Sequence, residues 1–141
     1  MTSKTFPAKT EAWPAVFDFA SQLLETHVRS GKLRLEACVA LEEVFVNVAH
    51  YAYGEGDGEV TLDIGFFEED RSILFRMWDT GIPFDPLQKP DPDITLSIAQ
   101  RQIGGLGIFL VKQIMDSVTY TYENGKNILT MIKKIQGDEP L

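Results

Sequence analysis

With 141 residues, 44% hydrophobic and 24% charged, the chain can bury one core without metal or disulfide staples, and its composition is not that of a disordered tract. Thirteen Lys and Arg against twenty-one Asp and Glu give a net charge of −8, which repels phosphate backbones and anionic lipid, so neither nucleic acid nor a membrane surface is an expected partner. The single Cys38 has no internal partner for a disulfide, the opening MTSKTFPAKTEAW lacks the apolar centre of a signal peptide, and no apolar run approaches a bilayer span; a cytoplasmic location is expected.

In chain order, residues 2–6 alternate weakly and read as an edge strand ended by Pro7. Trp13, Val16, Phe17, Ala20, Leu23, Leu24 and Val28 recur at helical spacing, with Thr10 as the expected N-cap and Gly31 as the expected stop. A second helix is expected over 32–53, where Gly54, Gly56 and Gly58 end it. Runs 59–67 and 71–78 read as a hairpin across the acidic turn Glu68-Glu69-Asp70. Clustered Pro83, Pro86, Pro90 and Pro92 then forbid a regular element, so 87–105 reads as a long functional loop with a helical turn near 95–100. A third helix is expected over 106–117, with Phe109 in the core. Strands 118–123 and 126–135 follow, joined by Asn124-Gly125, the strongest short hairpin signal. The tail 136–141 reads as frayed. The expected fold is a single α+β domain, a mixed, mostly antiparallel sheet covered on one face by about three helices.

The second helix is unusual. Ala37, Leu41, Val44, Phe45, Val48 and Ala52 form one apolar side, Val39 and Val46 lie almost opposite, and between them runs a strip holding Glu43 and Asn47. Four residues at ~100° each bring these two side chains to within about 40° of one another, one turn apart. Such a pair is ordinary on a solvated face. In an enclosed place, the amide oxygen suits Mg²⁺ and the carboxylate can orient or deprotonate a nucleophile.

Two glycine segments lie downstream. Asp79-Thr80-Gly81-Ile82-Pro83-Phe84-Asp85-Pro86 follows a strand; its carboxylate either starts a turn or accepts a hydrogen bond from an exocyclic amine such as that of adenine. Gly104-Gly105-Leu106-Gly107 opens straight into a helix, where unpaired backbone N–H groups and the helix dipole can receive phosphate. Neither the Walker A nor the Rossmann glycine pattern is present.

Taken together, Glu43, Asn47, Ala52 and Tyr53, then Asp79 to Pro86, then the run DPDITLSIAQRQIGGLGIFLVKQIMD from Asp91, resemble the GHKL ATPases of the Bergerat fold. The nearest likeness is to the small anti-sigma factor/serine-protein kinases of bacterial partner-switching systems, and it runs from about Thr5 to Lys134. The resemblance implies ATP and Mg²⁺ as cofactors, with Asn47 binding the metal and Glu43 as catalytic base or orienting carboxylate. It also implies that Asp79 contacts the adenine amine with Gly81 letting the base approach, that Gly105, Leu106 and Gly107 supply N–H groups to the phosphates, and that Thr130 supports Asp79. Residues 87–105 would be the lid, with Arg101 the candidate cation for the terminal phosphate and Lys89 and Lys112 its rivals. Related proteins often carry His directly before the small residue and Tyr that close the first box; here that place holds Tyr51, with His50 one position earlier.

The implied reaction is transfer of the ATP γ-phosphate to a Ser or Thr of a small STAS-type anti-sigma antagonist. A sigma factor is a second candidate partner and a homodimer a candidate assembly. The alternative is an ATP-gated module that sequesters a regulator without catalysis, against which Glu43 speaks. The ATP domain of a sensor histidine kinase would need a dimerisation helix pair bearing a phospho-accepting His. His27, in the context THVRSG, lacks the expected flanking pattern.

Overall fold

Asn124 and Gly125 both take positive φ, 54° and 76°, the mirror-image turn whose twist matches that of the strands it joins, and it folds the last two strands onto one another. The computed structural model describes residues 1–54, 56–88 and 105–135. Its elements are β1 (Thr2–Pro7), α1 (Trp13–His27), α2 (Gly31–Tyr51), β2 (Glu59–Phe67), β3 (Ser72–Asp79), α3 (Gly105–Ile114), β4 (Ser117–Glu123) and β5 (Lys126–Lys134), with short 3-10 turns at Thr10–Ala12 and Pro86–Gln88. The expected helical turn at 95–100 and the frayed tail at 136–141 lie outside the described residues.

The strand order is β1-β2-β3-β5-β4, and every ladder among the described residues is antiparallel. The α+β sandwich therefore stands, with an antiparallel sheet in place of a mixed one. Alternation decides which face is covered. Val60, Leu62, Ile64, Ile73, Phe75, Met77, Leu129 and Met131 are buried toward the helices. Against them pack Val16, Ala20 and Leu24 of α1, Leu41, Val44 and Phe45 of α2, and Val111 and Met115 of α3. Each large side chain so buried contributes about 1.5–3 kcal/mol.

The helix boundaries depart from expectation between α1 and α2. Thr10 opens a 3-10 turn without capping it; α1 begins with Pro14 in its first turn, where no N–H is needed. The helix ends because Val28 goes extended at φ −127°, ψ 123°. Gly31 is not a stop but the first residue of α2, and the Ser30 hydroxyl caps that helix by accepting from the Leu33 N–H at 3.1 Å. Phe17 is 43% exposed rather than core, and Phe109 is half-buried.

At its other end the sheet pins α3. Lys133 Nζ donates to the Ile114 carbonyl at 2.8 Å, satisfying a terminal acceptor of the helix, and the Asp116 N–H donates to the Ile132 carbonyl at 2.9 Å. The C-terminus of α3 is thus fixed to β5, and its N-terminal turn is brought against α2. Among the described residues no helix is long and apolar enough to cross a membrane.

Candidate functional site

Between α2, α3 and the ends of β3 and β5 lies a cleft of about 410 Å³, open on one side, a size that suits a small ligand. Val44, Val48, Ala52, Met77, Ile108 and Leu129 form its apolar walls, with Asn47, Asp79, Tyr120 and Asn127 as its polar groups. Asn47 and Asp79 were singled out by sequence alone; Asn127 and Tyr120 were not.

At the helix end, Asn47 is 8% exposed. Its Nδ2 donates to the Glu43 carbonyl one turn back at 3.0 Å, which turns Oδ1 outward from its own helix. Oδ1 is buried without any hydrogen-bond partner. An orphaned buried acceptor costs about 1–3 kcal/mol, so this atom is suited to a cation or donor brought by a ligand. Glu43 lies beside it and touches the first turn of α3: a Cβ at Gly107 would fall inside 3.0 Å of Glu43 Oε2. Glycine at 107 is what lets the carboxylate approach that helix. Burial, and secondarily the neighbouring Glu42, raise the Glu43 carboxyl above its ordinary 4.5. Gly105 and Leu106 form the start of α3, so the helix N-terminus and the Glu43–Asn47 strip meet. Among the described residues no three His, Cys, Asp or Glu gather into a metal cage. The donor set fits Mg²⁺, which commonly takes one or two protein oxygens and completes its shell with water and substrate phosphates.

At the strand end, Asp79 closes β3 at 4% exposure. Its Oδ1 accepts from the Gly81 N–H at 2.8 Å and from Asn127 Nδ2 at 3.0 Å, so it both starts a turn and is held across the sheet. Oδ2 has no partner among the described residues. Burial raises the Asp79 carboxyl above 3.8, while the bonds from Asn127 and Gly81 pull it back. Gly81 has a different reason from the one expected: a Cβ there would fall inside 3.0 Å of the Ala52 backbone carbonyl. Its missing side chain makes room for the end of α2, to which Ile82 N–H donates at 2.8 Å through that same carbonyl. Tyr53 completes this junction. Its hydroxyl donates to the Glu59 carbonyl at 2.6 Å and accepts from the Thr80 N–H at 3.0 Å. Tyr51 stacks on Phe84 with ring centres 5.0 Å apart and planes 22° from parallel, and His50 beside it is exposed.

Thr130 is corrected. The β3–β5 register pairs Asp79 with Asn127 and Thr130 with Arg76, and Asn127, Leu129 and Met131 face the helices at 6, 4 and 0% exposure. Thr130 therefore points from the opposite face of the sheet, and the side chain supporting Asp79 is Asn127. Arg101, Lys89 and most of the expected lid lie outside the described residues. Lys112, the other rival cation, is half-buried on α3.

The pattern that defines the histidine kinase-like ATPase domain matches residues 6–133. Serine-protein kinase RsbW of Bacillus cereus is 30% identical over 105 residues, 72% of this chain and 64% of its own length. Serine-protein kinase RsbW of Listeria monocytogenes is 32% identical over 96 residues, 64% of this chain and 60% of its own. The chain thus spans less than two thirds of the relatives it matches. The matched stretch runs from the end of β1 almost to the end of β5 and takes in both ends of the cleft, and by that extent the chain belongs to the histidine kinase-like ATPase domain family.

Proposed function

We propose that the cleft binds Mg·ATP and that the chain is a serine/threonine-protein kinase of the anti-sigma type, transferring the γ-phosphate to a hydroxyl of a small STAS-type antagonist protein. The observation that carries this reading is the meeting at one cleft of the orphaned Asn47 Oδ1, the Glu43 carboxylate and the start of α3, with an unsatisfied carboxylate oxygen of Asp79 at the other end. The names of the RsbW relatives support the kinase assignment.

Phosphoryl transfer asks a protein mostly for positioning and for cancellation of negative charge. Asn47 Oδ1 would hold Mg²⁺, which when bound neutralises the charged phosphate oxygens. Backbone N–H groups of Gly105, Leu106 and Gly107 at the start of α3 would receive those oxygens. Asp79 Oδ2 would accept from the adenine amine, against the apolar walls of Val48, Met77 and Leu129. Glu43, whose raised pKa makes it a better proton acceptor than an ordinary carboxylate, would take the proton of the attacking Ser or Thr hydroxyl. A homodimer and a sigma factor as second target belong to the same proposal.

Labelled ATP incubated with the cognate antagonist tests it. Label is expected on a Ser or Thr of the antagonist, and Glu43→Ala is expected to lower transfer by about 10²–10⁴ while ATP binding, followed by calorimetry, persists. Tight ATP binding without any transfer would leave a nucleotide-gated sequestering module instead.

A further inference from the structure

Asn127 is the most fully engaged side chain of the cleft. It stands directly opposite Asp79 in the β3–β5 ladder. Its Nδ2 lies 3.0 Å from Asp79 Oδ1, 2.8 Å from the Ile82 carbonyl and 3.4 Å from the Gly81 carbonyl. Its Oδ1 accepts from the Phe84 N–H at 3.0 Å and from the Tyr120 hydroxyl. The orientation of the amide is fixed by chemistry: every neighbour of Nδ2 is an acceptor, and the Phe84 N–H beside Oδ1 can only donate. Reversing it would set oxygen against three oxygens. One planar group therefore ties β5 to β3, to the 81–84 turn and, through Tyr120, to β4. Burial raises the Tyr120 phenol above 10.0, which keeps it protonated as a donor.

For Asp79 the result is that Oδ1 is saturated by Gly81 and Asn127, and Oδ2 alone is left to face the cleft. Resting on the nucleotide reading above, we propose that Asn127 is the positioning residue that sets base selectivity here: by occupying Oδ1 and anchoring the turn, it presents one fixed acceptor that admits a ring edge bearing an amine and rejects one bearing a carbonyl. A site built around a hydrogen bond to a substrate N–H discriminates strongly against an analogue lacking it, because the buried acceptor is left unpaired.

The test compares ATP with ITP, which carries a carbonyl in place of the adenine amine, by calorimetry on the wild type, Asn127→Asp and Asn127→Thr. Wild type is expected to favour ATP by about 100-fold or more. Asn127→Asp keeps the shape and the acceptor for Phe84 and Tyr120 but loses both donors, and is expected to narrow the preference below about tenfold, mainly through weaker ATP binding. Asn127→Thr, which retains one hydroxyl donor for Asp79, is expected to recover part of the preference. A variant that merely loosened the fold would weaken both nucleotides in proportion, and that result, or an unchanged ratio in Asn127→Asp, would overturn the inference alone. A wild type that binds neither nucleotide would overturn the nucleotide reading and this inference with it.

Discussion

The two ends of the cleft are built on opposite principles. At the strand end, Asp79, Asn127, Tyr53, Tyr120 and the backbone of 80–84 satisfy one another across β3, β4 and β5, so the only acceptor left over is Asp79 Oδ2. At the helix end, an amide oxygen is buried with no partner and a carboxylate lies against the first turn of α3. A network complete in itself presets its geometry, whereas an end with unmet groups becomes complete only when a charged ligand arrives. In the proposed function this separates recognition of the base, done by a finished scaffold, from handling of the phosphates, done by an unfinished one.

Two glycines test that contrast. At Gly81 the obstacle to a side chain is the Ala52 backbone, which cannot swing aside. Gly81→Ala is expected to cost about 2–3 kcal/mol of stability through overpacking, read as a lower midpoint in urea, with nucleotide binding weakened in step. If Gly81→Ala unfolds at the wild-type midpoint, the junction between the end of α2 and the 80–84 turn is not the rigid element described.

Acidification gives the next effect. Asp79 must be ionised to accept from an amine, and its carboxyl is raised above 3.8 by burial. Adenosine affinity is therefore expected to fall up to about tenfold per pH unit as pH drops through that raised value. Adenosine is the probe because it carries no titrating phosphate; the other groups at this end are Tyr120 and Asp85, which face one another closely enough to couple. The sign for stability is opposite. The native state keeps its proton to a higher pH than the unfolded chain does, so as pH rises from 3.8 to the native value the unfolded chain alone has released it. Asp79 then contributes progressively less stability, reaching a constant lower level above the native value. An adenosine affinity that is flat to pH 4 would remove Asp79 from base recognition.

How much of this was legible beforehand depended on how local the signal was. The Asn124-Gly125 turn and the Glu43–Asn47 strip are written within a few residues, and both hairpins and α2 follow from them. The α1–α2 boundary was misread because Gly31 is as good a terminator as a first helical residue, and only the Ser30 hydroxyl reaching Leu33 decides between them. Asn127 was missed for a different reason. Its role depends on a pairing with Asp79 across 48 residues, and β5 hides its own parity because Ile128 and Ile132 on one face are as apolar as Leu129 and Met131 on the other. The buried Asn in that alternation was the available signal.

Gly107 is the counterpart of Gly81 at the unfinished end, and the smallest effect on the fold is expected there. The atom a Cβ would meet is Glu43 Oε2, the far end of a side chain that can rotate away, so Gly107→Ala is expected to leave the unfolding midpoint within about 0.5 kcal/mol of wild type, gaining helix propensity in return. What it displaces is the carboxylate. Phosphoryl transfer is expected to fall about three- to tenfold, because misplacing a reacting group by a fraction of an ångström erodes the advantage of positioning. Adenosine affinity, governed by the other end, is expected to stay unchanged. If Gly107→Ala lowers stability as much as Gly81→Ala, both glycines serve packing alone and the division between a finished and an unfinished end fails. If it lowers transfer while sparing both stability and adenosine, the same residue type has been used at one end to close the fold and at the other to bring a carboxylate to the phosphate side of the cleft.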